Sequence, residues 1–170
     1  DDHGVSDKIT TLNCSMDALP FSDDEFDVIW SEGAIYNIGF EAGVSAWKRY
    51  LKSGGMIIIS EITWLTSNRP AELQAYWEKE YPEIDTASSK INILEQCGYM
   101  PVAYFVLPKY CWLENYYRPL QRRFGAFLER HGAGTGATAI VEAEQREISL
   151  YEKYRDYYGY GVYVAVKPMV

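Results

Sequence analysis

Residues 26–62 read FDVIWSEGAIYNIGFEAGVSAWKRYLKSGGMIIISEI, and the order of patterns inside this stretch decides the fold. Phe26 to Ser31 is a continuous apolar run of the kind that forms a strand buried on both faces. Phe40, Val44, Trp47 and Leu51 then recur at helical spacing on one face, and Gly54-Gly55 supplies the stop. Met56 to Ile62 predicts a second buried strand, rich in β-branched residues. Strand, helix and strand joined this closely make a βαβ unit, which predicts parallel strands and a right-handed crossover.

Working outward, Lys8 to Asn13 predicts a short strand, and Asp17 to Asp27 a loop around Pro20 and the acidic cluster Asp23, Asp24 and Glu25. Pro70 suits the first turn of a helix running to Glu80. Thr86 to Cys97 predicts another helix, closed by Gly98, and Val102 to Leu107 a strand bounded by Pro101 and Pro108. Two longer helices follow. Leu113 to Arg130 carries Phe124, Phe127 and Leu128 inward, and Ala137 to Tyr157 carries Ile140, Ile148, Tyr151 and Tyr154 inward. The alternation over Tyr160 to Lys167 predicts a last strand, antiparallel and near an edge. The class is α/β: parallel strands plus a final antiparallel strand, with a helical insertion before it.

The chain has 170 residues, the size of one domain, with 48% hydrophobic and 24% charged residues. That excludes wholesale disorder, a fibre and a membrane-embedded chain, since the longest apolar run, Met56 to Ile59, is far short of the ~20 residues needed to span a bilayer. The acidic start shows no signal peptide and no initiator Met, so the chain is expected to be a piece of something longer. Sixteen Lys and Arg against 24 Asp and Glu give a net charge of -8, the wrong sign for a nucleic-acid partner. Cys14, Cys97 and Cys111 read as reduced thiols in a cytoplasm, and two histidines leave no His-rich metal site to expect. The 15 Tyr, 5 Trp and 6 Phe serve core packing or a pocket for a flat or cationic ligand, and both readings stay open.

The densest stretch is SMDALPFSDDEFDVIWSEGAIYNIG, Ser15 to Gly39. Its Ser15-Met16-Asp17, Leu19-Pro20-Phe21, Phe26-Asp27 and Trp30 to Phe40 are matched further on by Tyr50 to Trp64 and by the terminal YRDYYGYGVYVAVK. Together these resemble the class I S-adenosylmethionine (SAM)-dependent methyltransferases, in particular a small-molecule group with a GSMD-LPF and IWSEGAIYNIGF signature. The resemblance implies a Rossmann-like sheet, SAM as cofactor and a small-molecule acceptor. It also implies that residues 1–170 are a single domain, the carboxyl-terminal part of a methyltransferase. The family's glycine-rich turn and ribose-binding carboxylate would precede Asp1. Gly132 to Gly136 spells GxGxG, but it follows a helix where the motif requires a strand, so it reads as a helix–helix linker.

Under this resemblance Asp17 accepts from the adenine amine and Met16 covers the ring, with Ser15 in the same motif; Asp17 capping a turn is the alternative. Trp30 and Ser31 lie at the carboxyl end of a strand, where such sheets bind ligands, and Ser31 would face the methionine part of SAM. Trp30 as core is the alternative. Glu32, Tyr36 and Asn37 would line the boundary with the acceptor. Glu32 is the candidate general base, with Tyr36 beside it as a catalytic residue, against a helix-capping role for Glu32. Glu61 and Trp64 sit near the same place, and Glu61 also reads as a solvated carboxylate. Tyr110, Trp112, Tyr116 and Tyr117 form an acceptor wall or pack two helices together, while Tyr157 to Tyr160 read as packing. No metal ligand is expected.

With the first strands of the family absent, Phe26 to Ser31 would expose an edge, predicting self-association or strand exchange, weak SAM affinity and an inactive piece. Two other readings stay open: a non-catalytic scaffold of the same fold, and an aromatic-lined small-molecule binder.

Overall fold

The computed structural model describes residues 4–132 and 134–169. The two apolar runs become β1 (Phe26–Glu32) and β2 (Leu51–Trp64), which pair in parallel with residues 28–32 alongside residues 56–60. Between them runs α1 (Phe40–Trp47), whose Phe40, Val44 and Trp47 are buried on the expected face. A 3-10 turn, Lys48–Tyr50, ends it, so Leu51 belongs to β2 and not to the helix. Then come α2 (Ala71–Glu80), a two-residue β3 (Asp85–Thr86), α3 (Ala87–Gln96) and β4 (Met100–Val106). Thr86 caps α3 by accepting from the Ser89 N–H, and Gly98, at φ +75°, closes it in a conformation that favours glycine.

The helical insertion opens with α4 (Lys109–Trp112), passes through a π-helical turn, Leu113–Tyr117, and continues as α5 (Arg118–His131) and α6 (Thr135–Tyr154). The last strand, β5 (Tyr158–Val166), runs antiparallel between β2 and β4, giving the order β1-β2-β5-β4 with β3 against the end of β2. The architecture is the expected mixed α/β sheet with its antiparallel last strand.

Side chains alternate across a strand, so each face of the sheet builds its own core. On one face Ile57, Ile59, Tyr163 and Ala165 pack against Val44 of α1 and Leu94 of α3. On the other, at the carboxyl ends of β1 and β2, Ile62, Trp64 and Tyr158 pack against Leu73 and Trp77 of α2, Trp112, and Ile148 and Tyr151 of α6. The rest of that second face is open: Val28, Trp30 and Phe105 are about half or more exposed.

The structure corrects several sequence expectations. Lys8 to Asn13 forms no strand. Ser6–Lys8 is a 3-10 turn, and Ile9 and Leu12 beyond it are exposed, because no ladder partner takes up their backbone groups. Nor is β1 buried on both faces; among the described residues it pairs only with β2, and no helix covers Trp30. Along α6, Ile140 points to solvent, and the helix is buried through Val141, Ile148, Leu150 and Tyr151. Gly132 and Gly134 join α5 to α6 as a linker, with Ala133 of that motif outside the described residues.

Candidate functional site

Parallel strands that end together leave a crevice beyond their carboxyl ends, and here the helical insertion roofs it. The result is a cavity of about 780 Å³. Its floor is Glu32 and Gly33 at the end of β1, Ser60 and Ile62 of β2, and Tyr160 of β5. Tyr76, Trp77 and Glu80 of α2 line the cavity with Tyr81, and α6 adds Glu144, Glu147 and Tyr151. Cys111, Trp112, Asn115 and Tyr116 of the insertion complete it, with Tyr36 at the side.

Gly33 is held where β1 ends. Its N–H donates to Ser60 Oγ at 2.9 Å, its φ is +50°, and a Cβ there would meet the Tyr160 hydroxyl at 3.2 Å. A glycine thus lets the backbone turn against the cavity floor. The roof is set by rings: Trp112 lies 4.8 Å from Tyr160 and 4.2 Å from Tyr151 between centroids, both edge-on. The buried Tyr117 hydroxyl donates to Glu147 Oε1 at 2.8 Å, which fixes that carboxylate. Burial raises the Glu147 carboxyl above its ordinary range, opposed by the Tyr117 hydrogen bond. Burial also pushes the Tyr151 hydroxyl up to about 12.

Beneath the cavity lies a buried charged group around Glu61, which the sequence left open as a residue near the pocket or a solvated carboxylate. Glu61 is 1% exposed, accepts a hydrogen bond from the Tyr81 hydroxyl and stands 4.0 Å from Lys90 Nζ. Lys90 donates to the Glu83 carbonyl at 2.9 Å, and the Glu83 carboxylate caps α1 by accepting from the Phe40 N–H at 3.1 Å. Burial raises the Glu61 carboxyl, and the Tyr81 hydrogen bond and then Lys90 pull it back; burial lowers the Lys90 ammonium, with Glu61 opposing. This group braces Tyr81, whose ring meets Tyr36 of the cavity at 6.1 Å.

Of the residues singled out from sequence, Glu32, Tyr36, Trp112 and Tyr116 come together in the cavity. Three do not. Trp64 is core, edge-on to Tyr158 and under the Arg69 guanidinium at 4.7 Å; Tyr110 is 58% exposed; Asn37 turns back to donate to the Ala34 carbonyl at 2.9 Å. Glu32 does not cap α1, a place taken by Glu83. The Ser15–Met16–Asp17 turn lies apart from the cavity, against α1: Trp47 Nε1 donates to the Met16 carbonyl at 2.9 Å, and Asp17 is exposed. Trp30 and Ser31 are consecutive on β1 and so face opposite sides; Trp30 is 67% exposed, while Ser31 is buried with no hydrogen-bond partner for Oγ. Sequence reasoning missed the α2 and α6 walls. Glu144, Glu147 and Tyr151 recur at i, i+3 and i+7, one helical face, which was the available signal.

Among the described residues no group of His, Cys, Asp and Glu is placed to hold a metal, and no helix is long and apolar enough to cross a membrane.

Comparison with known proteins bears on this geometry. The family model described as a methyltransferase domain matches residues 1–59, which include the Ser15–Asp17 turn, β1 and α1. No protein among the curated sequences matches the chain. Among solved structures, the cyclase SpnF aligns at TM-score 0.75 and 19% identity, over 99% of this chain and 59% of that one. A sarcosine dimethylglycine methyltransferase described as putative, from Galdieria sulphuraria, aligns at TM-score 0.72 and 16% identity, over 98% and 62%. Phosphoethanolamine N-methyltransferase 2 of Haemonchus contortus, solved with S-adenosyl-L-methionine, aligns at TM-score 0.67 and 17% identity, over 92% and 36%. The chain therefore spans less than two thirds of the length of each of these structures. Likeness at this level establishes the fold and leaves the reaction to the site.

Proposed function

We propose that this chain serves SAM-dependent methyl transfer to a small-molecule acceptor, with the acceptor in the cavity between α2, α6 and the insertion. The observation that carries the reading is the position of that cavity, at the carboxyl ends of β1 and β2 in a sheet of methyltransferase type. The match of residues 1–59 to a methyltransferase-domain family supports it independently.

The residues present fit one side of a SAM site. Ser31 Oγ is buried and unpartnered one residue before Glu32, and Asp17 offers an exposed carboxylate next to the half-buried Met16. In this reading Asp17 accepts from the adenine amine, Met16 and Ser15 border the ring, and Ser31 and the nearby β1 backbone, with Trp30 at its edge, serve the methionine end. When bound, SAM supplies a methyl carbon already activated by a sulfonium. The chain's own part is alignment and exclusion of water, which the ring-lined cavity provides. Glu32, at the cavity floor, takes the acceptor's proton on its carboxylate where one must leave, and Tyr36 flanks it. A reducing cytoplasm suits the three free cysteines.

Calorimetric titration of SAM and of S-adenosylhomocysteine into wild type and Asp17→Ala tests this. Weak binding of both, reduced about tenfold by loss of a charge-assisted hydrogen bond, is expected. No binding by the wild type, or equal binding by the variant, would refute the assignment.

A further inference from the structure

The cavity's charge is one-sided. Glu32, Glu80, Glu144 and Glu147 line it, and among the described residues no lysine, arginine or histidine does. Glu80 is paired with Lys79, and Glu147 is held by the Tyr117 hydroxyl. Glu32 and Glu144 stand in no ion pair with a described residue. Arg146 lies over the Tyr76 ring, 5.7 Å from its centroid, and is not part of the lining. More than half of the other lining residues are aromatic, among them Tyr36, Trp77, Tyr81, Trp112, Tyr151 and Tyr160.

Each class of ligand meets this surface differently. An anion would face carboxylates with no cation to offset them. A neutral apolar body would strip water from those carboxylates and return nothing. An organic cation satisfies both features, because ring faces attract positive charge and carboxylates pair with it. The volume, about 780 Å³, suits a ligand of drug-like size.

We propose that the cavity takes a protonated amine on an apolar or aromatic body, and that this amine is the methyl acceptor. The second half of the statement rests on the methyltransferase reading; the first does not. The chemistry closes on itself. The ammonium gives one proton to a cavity carboxylate, and the freed nitrogen lone pair forms the new N–CH3 bond. The electrons of the donor's S–CH3 bond stay on its sulfur. The product nitrogen is again a cation, and the carboxylate returns its proton to solvent.

Trp77 and Trp112 line the cavity, so tryptophan fluorescence reports its occupation. The probes are benzyltrimethylammonium, its uncharged isostere (2,2-dimethylpropyl)benzene, and phenylphosphonate. The expected result is binding of the cation at least about tenfold tighter than its isostere, with the phosphonate weaker than both. Glu144→Gln, on an accessible helix face, is expected to weaken the cation about threefold or more while leaving the isostere unchanged. Equal affinity for cation and isostere, tighter binding of the phosphonate, or no binding of any probe would overturn the proposal. S-adenosylhomocysteine titrated in parallel separates the two readings. Cation preference without it sinks the methyltransferase reading alone; its binding without cation preference sinks the cation site alone. Displacement of S-adenosylhomocysteine by the cation would move the subsite to the cofactor and overturn the acceptor assignment.

Discussion

Lys90→Met keeps the length and apolar stem of the side chain and removes its charge. In the folded protein Nζ stands 4.0 Å from Glu61 Oε1, with the two side chains 2% and 1% exposed. At an effective dielectric of about 20, unit charges at that distance attract by roughly 4 kcal/mol. Removing one partner of such a pair leaves the other buried and uncompensated, a loss of about 3–5 kcal/mol. The hydrogen bond to the Glu83 carbonyl disappears too, loosening the carboxylate that caps α1. At this chain length each kcal/mol moves the unfolding midpoint by about 2–4 °C, so a fall of roughly 6–20 °C is expected. Thermal unfolding followed by circular dichroism would compare wild type, Lys90→Met, Glu61→Gln and the double variant. Glutamine still accepts from the Tyr81 hydroxyl, so the double variant lacks both charges without orphaning that donor. It should regain at least about 2 kcal/mol over the sum of the singles. A Lys90→Met loss below about 1 kcal/mol, or strictly additive energies, would refute the ion pair and leave Lys90 as a packed stem.

Glu147 yields a pH prediction. Burial raises its folded-state pKa above the ordinary 4.5. Between those two values the folded protein binds more protons than the unfolded chain, so this group's contribution to stability falls as pH rises through the raised pKa. Glu147→Gln retains an acceptor for Tyr117, and its melting temperature relative to wild type should improve as pH rises from about 4.5 toward neutrality; a difference flat with pH would count against it. The open edge of β1, with Trp30 67% exposed, predicts concentration-dependent self-association or strand exchange in sedimentation velocity, relieved by Trp30→Lys. A monodisperse wild-type monomer would exclude that.

The strand–helix–strand unit was legible because its apolar runs and 3.6-residue period are local signals, and Phe40, Val44 and Trp47 are buried together as the spacing required. Where partners are distant in sequence, reading failed. A carboxylate reads as solvated by default, and nothing local to Glu61 announces that Lys90 of α3 and Tyr81 will enclose it. Ile9 and Leu12 resemble a strand, but a strand needs a neighbour, and no described strand pairs with them. A small part of the cavity was legible because Glu32 and Tyr36 follow a strand end and Trp112 and Tyr116 belong to an aromatic cluster. The walls from α2 and α6 depend on how two helices dock over the sheet, which no local pattern reports.

The π-helical turn Leu113–Tyr117 also bears on how the shape of such a cavity can diversify. A π turn is an α-helix carrying one surplus residue. Deleting a single residue there would restore the α repeat while the flanking helices kept their faces, so the side chains of the turn itself would be re-aimed. Tyr116 or Tyr117 would then give up the place it holds at the cavity or at Glu147. The sheet floor and the Ser15–Asp17 turn would stay as they are. The shape of the cavity is therefore tunable in this architecture by loss or gain of one codon.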